Sequence, residues 1–293
     1  MGGHKTSVGD GFLCRPGVAA HVRPETHDLH VHSNRSKDVE DPRATFEGLA
    51  ALGRELGIAI GFADHFEATY LDRPTFCFHP GNVGSYLEAY DRAKAAFPEV
   101  TLGIEVEHYP LRPDLNALTA EWLDRHRREF DRVLGSAHFV FDTWAVTWEH
   151  DLRLALRVHT YREVLAAYLD GLDSLVGSGV ADCLPHADAV FRGNAALMDI
   201  TPVERAAADA RVLGACRRAA SLGMAIEVNL IGVADGSGTG PSPPWATVEA
   251  VAREGARVFV GSDSHGHDQL PRAAPHVREA CARLRRMGAR TLV

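Results

Sequence analysis

Long apolar runs are missing from this chain of 293 residues. Nowhere does it reach the ~18 uninterrupted apolar residues of a membrane-spanning helix, and residues 1–25 lack the apolar core of an export signal, so a soluble, cytoplasmic chain is expected. Cysteine is scarce: Cys14, Cys77, Cys183, Cys216 and Cys281 form an odd, scattered set without a CxxC pair. That excludes a disulfide framework and a thiolate zinc site and fits a reducing compartment. Positive charge is also short, with 31 Lys and Arg against 39 Asp and Glu, a net charge of -8 and a pI near 6.0. No basic field therefore favours nucleic acid or a membrane surface as partner, and small solutes come first. With 45% hydrophobic and 24% charged residues the chain is ordinary for a folded globule and unlike a disordered one.

What is present is an alternation of short β-like runs with amphipathic helical stretches. The runs are 26–31, 58–63, 100–106, 132–136, 181–184, 225–229 and 257–261. Helical patterns cover 45–56, 85–97, 119–130, 160–178, 203–222, 245–254 and 275–287, several stopping at a glycine such as Gly57, Gly223 or Gly288. Repeated βα units imply an α/β fold, either a closed barrel or a doubly wound sheet, and periodicity does not choose between them. Residues 1–25 read as a loosely held N-terminal extension, 26–293 as one domain, and 234–244 as a surface loop.

Sixteen histidines are an unusual number for such a chain, and several follow the strand runs directly. The groups are His30 and His32, Asp64 and His65, Glu105 and Glu107, His138, His186 and Asp188, and Asp263 and His265. All lie at C-terminal strand ends, the edge where parallel α/β folds build their sites, so sequence-distant His, Asp and Glu side chains converge on one mouth. Spacing of two in His30-x-His32 and Asp263-x-His265 keeps each pair on one face of extended chain, as metal ligation requires. One strand-end histidine is usually a solvated or hydrogen-bonded residue; six coordinated groups point to a metal cluster, and imidazole with carboxylate suits Zn, Mn or Fe. Glu107 and Asp188 fit equally well as supports or salt-bridge partners, Asp64 is ambiguous, and Cys77 and Cys183 read as small buried hydrophobes.

The ordered series Asp28-Leu29-His30-Val31-His32, Ala63-Asp64-His65, Gly103-Ile104-Glu105, Gly135-Ser136-Ala137-His138, Pro185-His186-Ala187-Asp188, Glu227-Val228-Asn229 and Gly261-Ser262-Asp263-Ser264-His265 resembles the polymerase and histidinol phosphatase (PHP) superfamily. Overall size and the lack of an attached polymerase favour its monofunctional, histidinol-phosphatase-like branch. The resemblance implies a distorted seven-stranded (β/α)7 barrel with a trinuclear centre of divalent Zn, Mn or Fe. It assigns His30, His32, Glu105 and Asp263 to a first metal, Glu105, His138 and His186 to a second, and Asp38, His65 and His265 to a third.

Such a cluster implies hydrolysis of a small phosphate monoester by metal-activated hydroxide, the substrate being histidinol phosphate or a related sugar, cyclitol or nucleoside phosphate. Asp263 and His265 are the candidates to assist the leaving group beside the bridging Glu105. Phosphoryl oxygens need fixed positive charge, for which Arg192 is the leading candidate and Arg35 and Arg73 are weaker ones. A phosphodiesterase or exonuclease of the same superfamily is the alternative, which Trp144, Trp148 and Arg153 in the long 139–159 loop keep open. A structural metal protein fits poorly because every ligand position holds a competent residue. An amidohydrolase-like barrel is a further alternative, weakened because this chain places no lysine at a strand end to bridge two metals.

Overall fold

The computed structural model describes residues 25–36, 38–67, 82–192, 195–238 and 240–293. Residues 1–24 of the expected extension, with Arg73 and Cys77, lie outside them. The strands are β1 (His27–Val31), β2 (Ala59–Phe66), β3 (Thr101–Glu107), β4 (Arg132–Ser136), β5 (Phe139–Val140), β6 (Trp144–Ala145), β7 (Cys183–Leu184), β8 (Ala225–Asn229), β9 (Arg257–Gly261) and β10 (Arg290–Thr291). Eight of them form a parallel sheet in the order β1-β2-β3-β4-β7-β8-β9-β10, and β5 pairs with β6 as a separate antiparallel hairpin. The sheet therefore counts one strand more than the seven apolar runs, because the chain end adds β10, two exposed residues without apolar patterning, beside β9.

Curling brings the first strand round to the far side. Beyond the end of β9, Ser264 bridges Val31; the His32 N–H donates to the Ser264 carbonyl at 2.9 Å and the Asp263 N–H to the His30 carbonyl at 2.7 Å. Leu29, Ala63, Leu134, Cys183, Ala225 and Phe259 pack together as a small buried cluster inside the sheet. The opposite faces carry Ile60, Phe62, Leu102, Ile104, Val133, Ile226, Val228, Val258 and Val260 into the main core beneath the helices. Full burial of each large side chain here contributes roughly 1.5–3 kcal/mol.

Helices α1 (Phe46–Leu56), α2 (Val83–Ala96), α3 (Pro113–His126), α4 (Glu149–Val158), α5 (Tyr161–Ser178), α6 (Pro202–Ser221), α7 (Ile231–Asp235), α8 (Trp245–Arg253) and α9 (Leu270–Arg286) connect the strands. Their ends are written locally. Thr45 caps α1 by accepting from the Gly48 N–H, and Gly57 closes it at φ 70°. Thr160 with Glu163 and Thr201 with Glu204 form reciprocal capping boxes at the starts of α5 and α6. α3 and α9 begin earlier than the patterns at 119 and 275 imply. Pro113 and Pro271 stand in the first turns, where a missing N–H costs nothing, and α9 carries Pro275 in its interior. The 139–159 loop holds β5, β6 and α4, and 234–244 begins inside α7. No helix among the described residues is long and apolar enough to cross a membrane.

Candidate metal centre

Period-two alternation aims one set of side chains inward along the strands, interrupted in β1 by a register irregularity between Asp28 and Val31, and at the C-terminal edge that set turns polar. Glu105 follows Thr101 and Gly103 on one face of β3, and His65 lies beside Glu105 in the register of β2 with β3. His30 and His32 come from β1 and its end, His138 from just past β4, His186 from past β7, and Asp263 and His265 from past β9. Asp38 arrives on the loop between β1 and α1. The nine expected ligands meet in one cluster.

Glu105 lies at its centre. One carboxylate oxygen is 2.9 Å from His186 Nε2 and 3.5 Å from His138 Nε2; the other is 2.9 Å from His65 Nδ1, 3.3 Å from His30 Nε2 and 3.5 Å from His32 Nε2. Asp263 Oδ1 is 3.1 Å from His32 Nε2 and 3.8 Å from His30 Nε2. On the outer side, Asp38 Oδ2 stands 3.3 Å from His65 Nε2 and 3.1 Å from His265 Nε2, and the His32 and His265 rings stack at 4.0 Å.

A set of supporting groups fixes which nitrogen of each ring faces this centre. Glu227, fully buried on β8, has Oε1 2.7 Å from His30 Nδ1, so that nitrogen is the donor and Nε2 presents its lone pair. Glu107 does the same for His138, accepting from its Nδ1 at 2.7 Å and its backbone N–H at 2.8 Å. The Ser36 hydroxyl donates to Asp64 at 3.0 Å, accepts from the His65 N–H at 3.0 Å and lies 3.3 Å from His32 Nδ1. Asp64 also takes Ser33 and Tyr86, so it holds the loop carrying Asp38 and does not face the cluster itself. Two ligand positions have left-handed backbone, His186 at φ 22° and Asp263 at φ 56°.

The donor set fits divalent cations. His30 Nε2 and His32 Nε2 face each other across 3.1 Å with carboxylate oxygens of Glu105 and Asp263 around them, a convergence of donor atoms that suits a cation. Asp38 Oδ1 is buried with no hydrogen-bond partner. Charge balance in the chain alone agrees. Burial opposes protonation of His30 and His65, yet the carboxylates beside them, Glu227 and Glu105 for His30 and Glu105 and Asp38 for His65, hold both rings well above the usual histidine range. Burial, with His265 and His65 nearby, pushes His32 down to about 3, and burial takes His138 down to about 4. Glu105 and Asp263 are buried, which favours the neutral acid, but histidines around both and Arg192 beside Asp263 keep them well below the usual carboxylate range.

Above the cluster opens a cavity lined by Asp38, His65, His138, Asp263 and His265 on the cluster side and by Arg192, Ala145, Thr147 and Trp148 around it. Arg192 donates from Nη1 to Asp263 Oδ2 at 2.5 Å. Arg35 does not line this cavity; its backbone N–H bonds the Ser33 hydroxyl at 3.1 Å, and its charge acts on Tyr86. Asp188 turns away to accept from the Ser242 hydroxyl in a neighbouring cavity. Sequence reasoning passed over the supporting roles of Glu227, Ser36 and Asn229. For Glu227 a signal existed: it stands in step with Asn229 on β8, whose amide donates to Glu227 at 3.0 Å and to Asp263 at 3.2 Å.

Among solved structures the chain is similar to a putative histidinol phosphatase from Listeria monocytogenes, at 15% identity and a TM-score of 0.70, covering 85% of this chain and 99% of that one. It is also similar to a histidinol phosphate phosphatase from Lactococcus lactis subsp. lactis, crystallised with zinc, L-histidinol and phosphate, at 21% identity and a TM-score of 0.64, covering 92% of this chain and 95% of that one. No curated protein sequence matches the chain. The PHP domain model matches residues 28–230, which take in six of the seven strand-end motifs, and the chain belongs to the PHP domain family.

Proposed function

We propose that the chain is a metal-dependent phosphomonoesterase acting on a small phosphate ester, with histidinol phosphate the first compound to test. The observation that carries this reading is the convergence of five imidazole nitrogens on the two oxygens of Glu105, beside Asp263 and Arg192. The Lactococcus lactis neighbour, with its zinc, L-histidinol and phosphate, supports it. In this reading His30, His32, Glu105 and Asp263 hold one cation, Glu105, His138 and His186 a second, and Asp38, His65 and His265 a third. The curled sheet is read as a (β/α)7 barrel, residues 26–293, to which β10 is an addition.

Bound divalent cations supply Lewis acidity, screening the phosphoryl charge and making water a competent nucleophile at neutral pH. The chain does the rest. Arg192, held by Asp263, presents its remaining N–H groups to phosphoryl oxygens, and its planar fork suits a tetrahedral anion. Glu227, Glu107 and Ser36 keep the imidazole lone pairs aimed so that nothing reorganises during reaction. Asp263 and His265, whose Nδ1 is 2.8 Å from the Asp263 carbonyl, stand where a proton for the departing alkoxide is needed.

The test is a panel of monoesters and diesters assayed on protein of measured metal content. Efficient, chelator-sensitive hydrolysis of a small monoester is expected, with Arg192→Ala lowering kcat/KM about 10- to 100-fold. Cleavage of diesters at least as well as monoesters, unchanged in Arg192→Ala, refutes the reading in favour of a phosphodiesterase.

A further inference from the structure

The three cation positions are not held alike. Asp38, His65 and His265 keep 14–19% of their side-chain surface in solvent, against 4% or less for His30, His32, Glu105 and Asp263. Two of these outer residues stand on loops, Asp38 between β1 and α1 and His265 beyond β9, so strand register does not set their spacing. A turn in the first loop reaches across to the second. In Asp41-Pro42-Arg43-Ala44 the Ala44 N–H donates to the Asp41 carbonyl and the Arg43 N–H to Asp41 Oδ1, both at 3.0 Å, and proline stands second, where its fixed φ suits the turn. The Ala44 carbonyl accepts from the Asn34 N–H at 2.7 Å and closes the loop at its base. Asp41 Oδ2 is left to face the second loop, where it accepts from the His267 N–H at 3.1 Å. Arg43 grips both sides: Nε and Nη2 donate to Asp41 at 3.0 Å, and Nη2 also donates to Asp268 Oδ2 at 2.7 Å.

The link falls close to both ligands. Asp41 is three residues past Asp38, and His267 is two past His265. The second loop is braced as one piece, since Gln269 Oε1 accepts from the His265 N–H at 2.8 Å and the Gln269 N–H bonds the Gly266 carbonyl at 3.1 Å. At the cluster end of the same two loops, Asp38 Oδ2 and His265 Nε2 meet at 3.1 Å, and Asp41 does not line the cavity above them. Arg43 and Asp268 are mostly exposed, and ion pairs of that kind add little to folding, so the effect of the link is local. We propose that Asp41, steadied by Arg43, is a positioning residue for the outer cation: it fixes the separation of Asp38 and His265 without touching cation or substrate. This rests on the three-cation phosphatase reading and adds the bond that sets the affinity of the third position.

The experiment is chelator competition on the full chain with zinc, elemental analysis giving the equivalents held at each free zinc level. The wild type is expected to hold three, the last most weakly. Asp41→Ala should weaken that last equivalent about 10- to 100-fold and leave the first two within about twofold. Asp41→Asn keeps an oxygen for the His267 N–H and should recover at least about half of the loss on a logarithmic scale. Thr45→Ala, which removes the cap of α1 beside the same turn, is the control for lost stability: its melting temperature should fall while all three equivalents stay within about twofold of wild type. A last equivalent unmoved by Asp41→Ala, a loss spread evenly over all three, no recovery in Asp41→Asn, or the same selective loss in Thr45→Ala overturns the proposal and leaves the phosphatase reading intact. A wild type that holds two equivalents and hydrolyses phosphate monoesters removes the outer cation and this inference alone. One that holds neither zinc nor manganese overturns the phosphatase reading as well.

Discussion

Replacing Glu227 by glutamine keeps shape and volume and removes only a charge, which makes it a sharp test of how the cluster is oriented. Glu227 Oε1 takes the proton of His30 Nδ1 at 2.7 Å, and Oε2 accepts from the His186 backbone N–H at 2.8 Å and from Asn229 at 3.0 Å. A carboxylate satisfies all three donors; an amide cannot. If the amide oxygen faces His30, the new NH2 opposes two buried N–H donors, at a cost of about 1–3 kcal/mol for each donor left unpaired. If it faces His186, the NH2 meets His30 Nδ1, and the imidazole must carry its proton on Nε2, the atom that faces His32 and Glu105. The first orientation unsettles the backbone that carries His186 and the second takes the lone pair of His30 out of the cluster, so metal affinity should fall about 10- to 100-fold, roughly 1.4–2.7 kcal/mol. Competition against a chelator of known affinity measures this, with elemental analysis giving the stoichiometry. Binding within twofold of wild type would show that Glu227 does not set the His30 tautomer and would remove the ring-orientation argument.

Three further outcomes are expected. Glu105→Gln should lose far more turnover than Glu149→Gln on the exposed face of α4, since a neutral amide supplies no charge toward the imidazoles on both of its sides; wild-type turnover with metals retained refutes a bridging Glu105. Gly261→Ala should disturb the cluster, because an added Cβ would fall 2.0 Å from Glu227 Oε1 and 2.5 Å from His30 Cβ; unchanged metal affinity with an unchanged melting curve refutes this. Buried His108, 2.9 Å from the Ser174 hydroxyl, is pushed by burial from near 6.5 to about 4. The unfolded chain therefore protonates this histidine first, so its contribution to stability is present above pH 6.5 and is lost as pH falls toward 4. Denaturant midpoints for His108→Gln should fall less steeply over that window, and equal slopes would refute the assignment.

Legibility in the sequence followed range of interaction. Seven strand positions and most helices carried their own signal, as apolar alternation or as caps such as Thr45, Thr160 and Thr201. What escaped was held by contacts distant in sequence. β10 exists because α9 returns the chain alongside β9, and two exposed residues contain no trace of that. The 139–159 segment hides a hairpin because each of its strands is two residues long, below any period that can be read, whereas α4, ten residues long, was passed over although its length carries a period. The helical pattern read from 275 starts late, because α9 begins at Leu270 and carries Pro275 in its interior.

Eight of the nine cluster residues were visible because they sit at the polar ends of apolar runs, whereas Asp38, on a loop, came only from the family resemblance. Glu227 and Ser36, which aim the histidines, were not visible, and the backbone explains part of the difference. Ligands must leave the strand direction to converge, and His186 and Asp263 do so in left-handed conformations that cost a non-glycine residue about 1–3 kcal/mol each. Nothing in a His or an Asp announces that strain. It persists because the freed backbone N–H groups are captured across the sheet, that of His186 by Glu227 at 2.8 Å and that of Asp263 by the His30 carbonyl at 2.7 Å. Glu227 thus holds the conformation of one cluster histidine and the tautomer of another. Gly261, where any side chain would collide with Glu227, is the space that lets it do both. The motif ending in Asp263 and His265 therefore opens with a glycine for reasons of packing around Glu227, and site and scaffold constrain the same few residues.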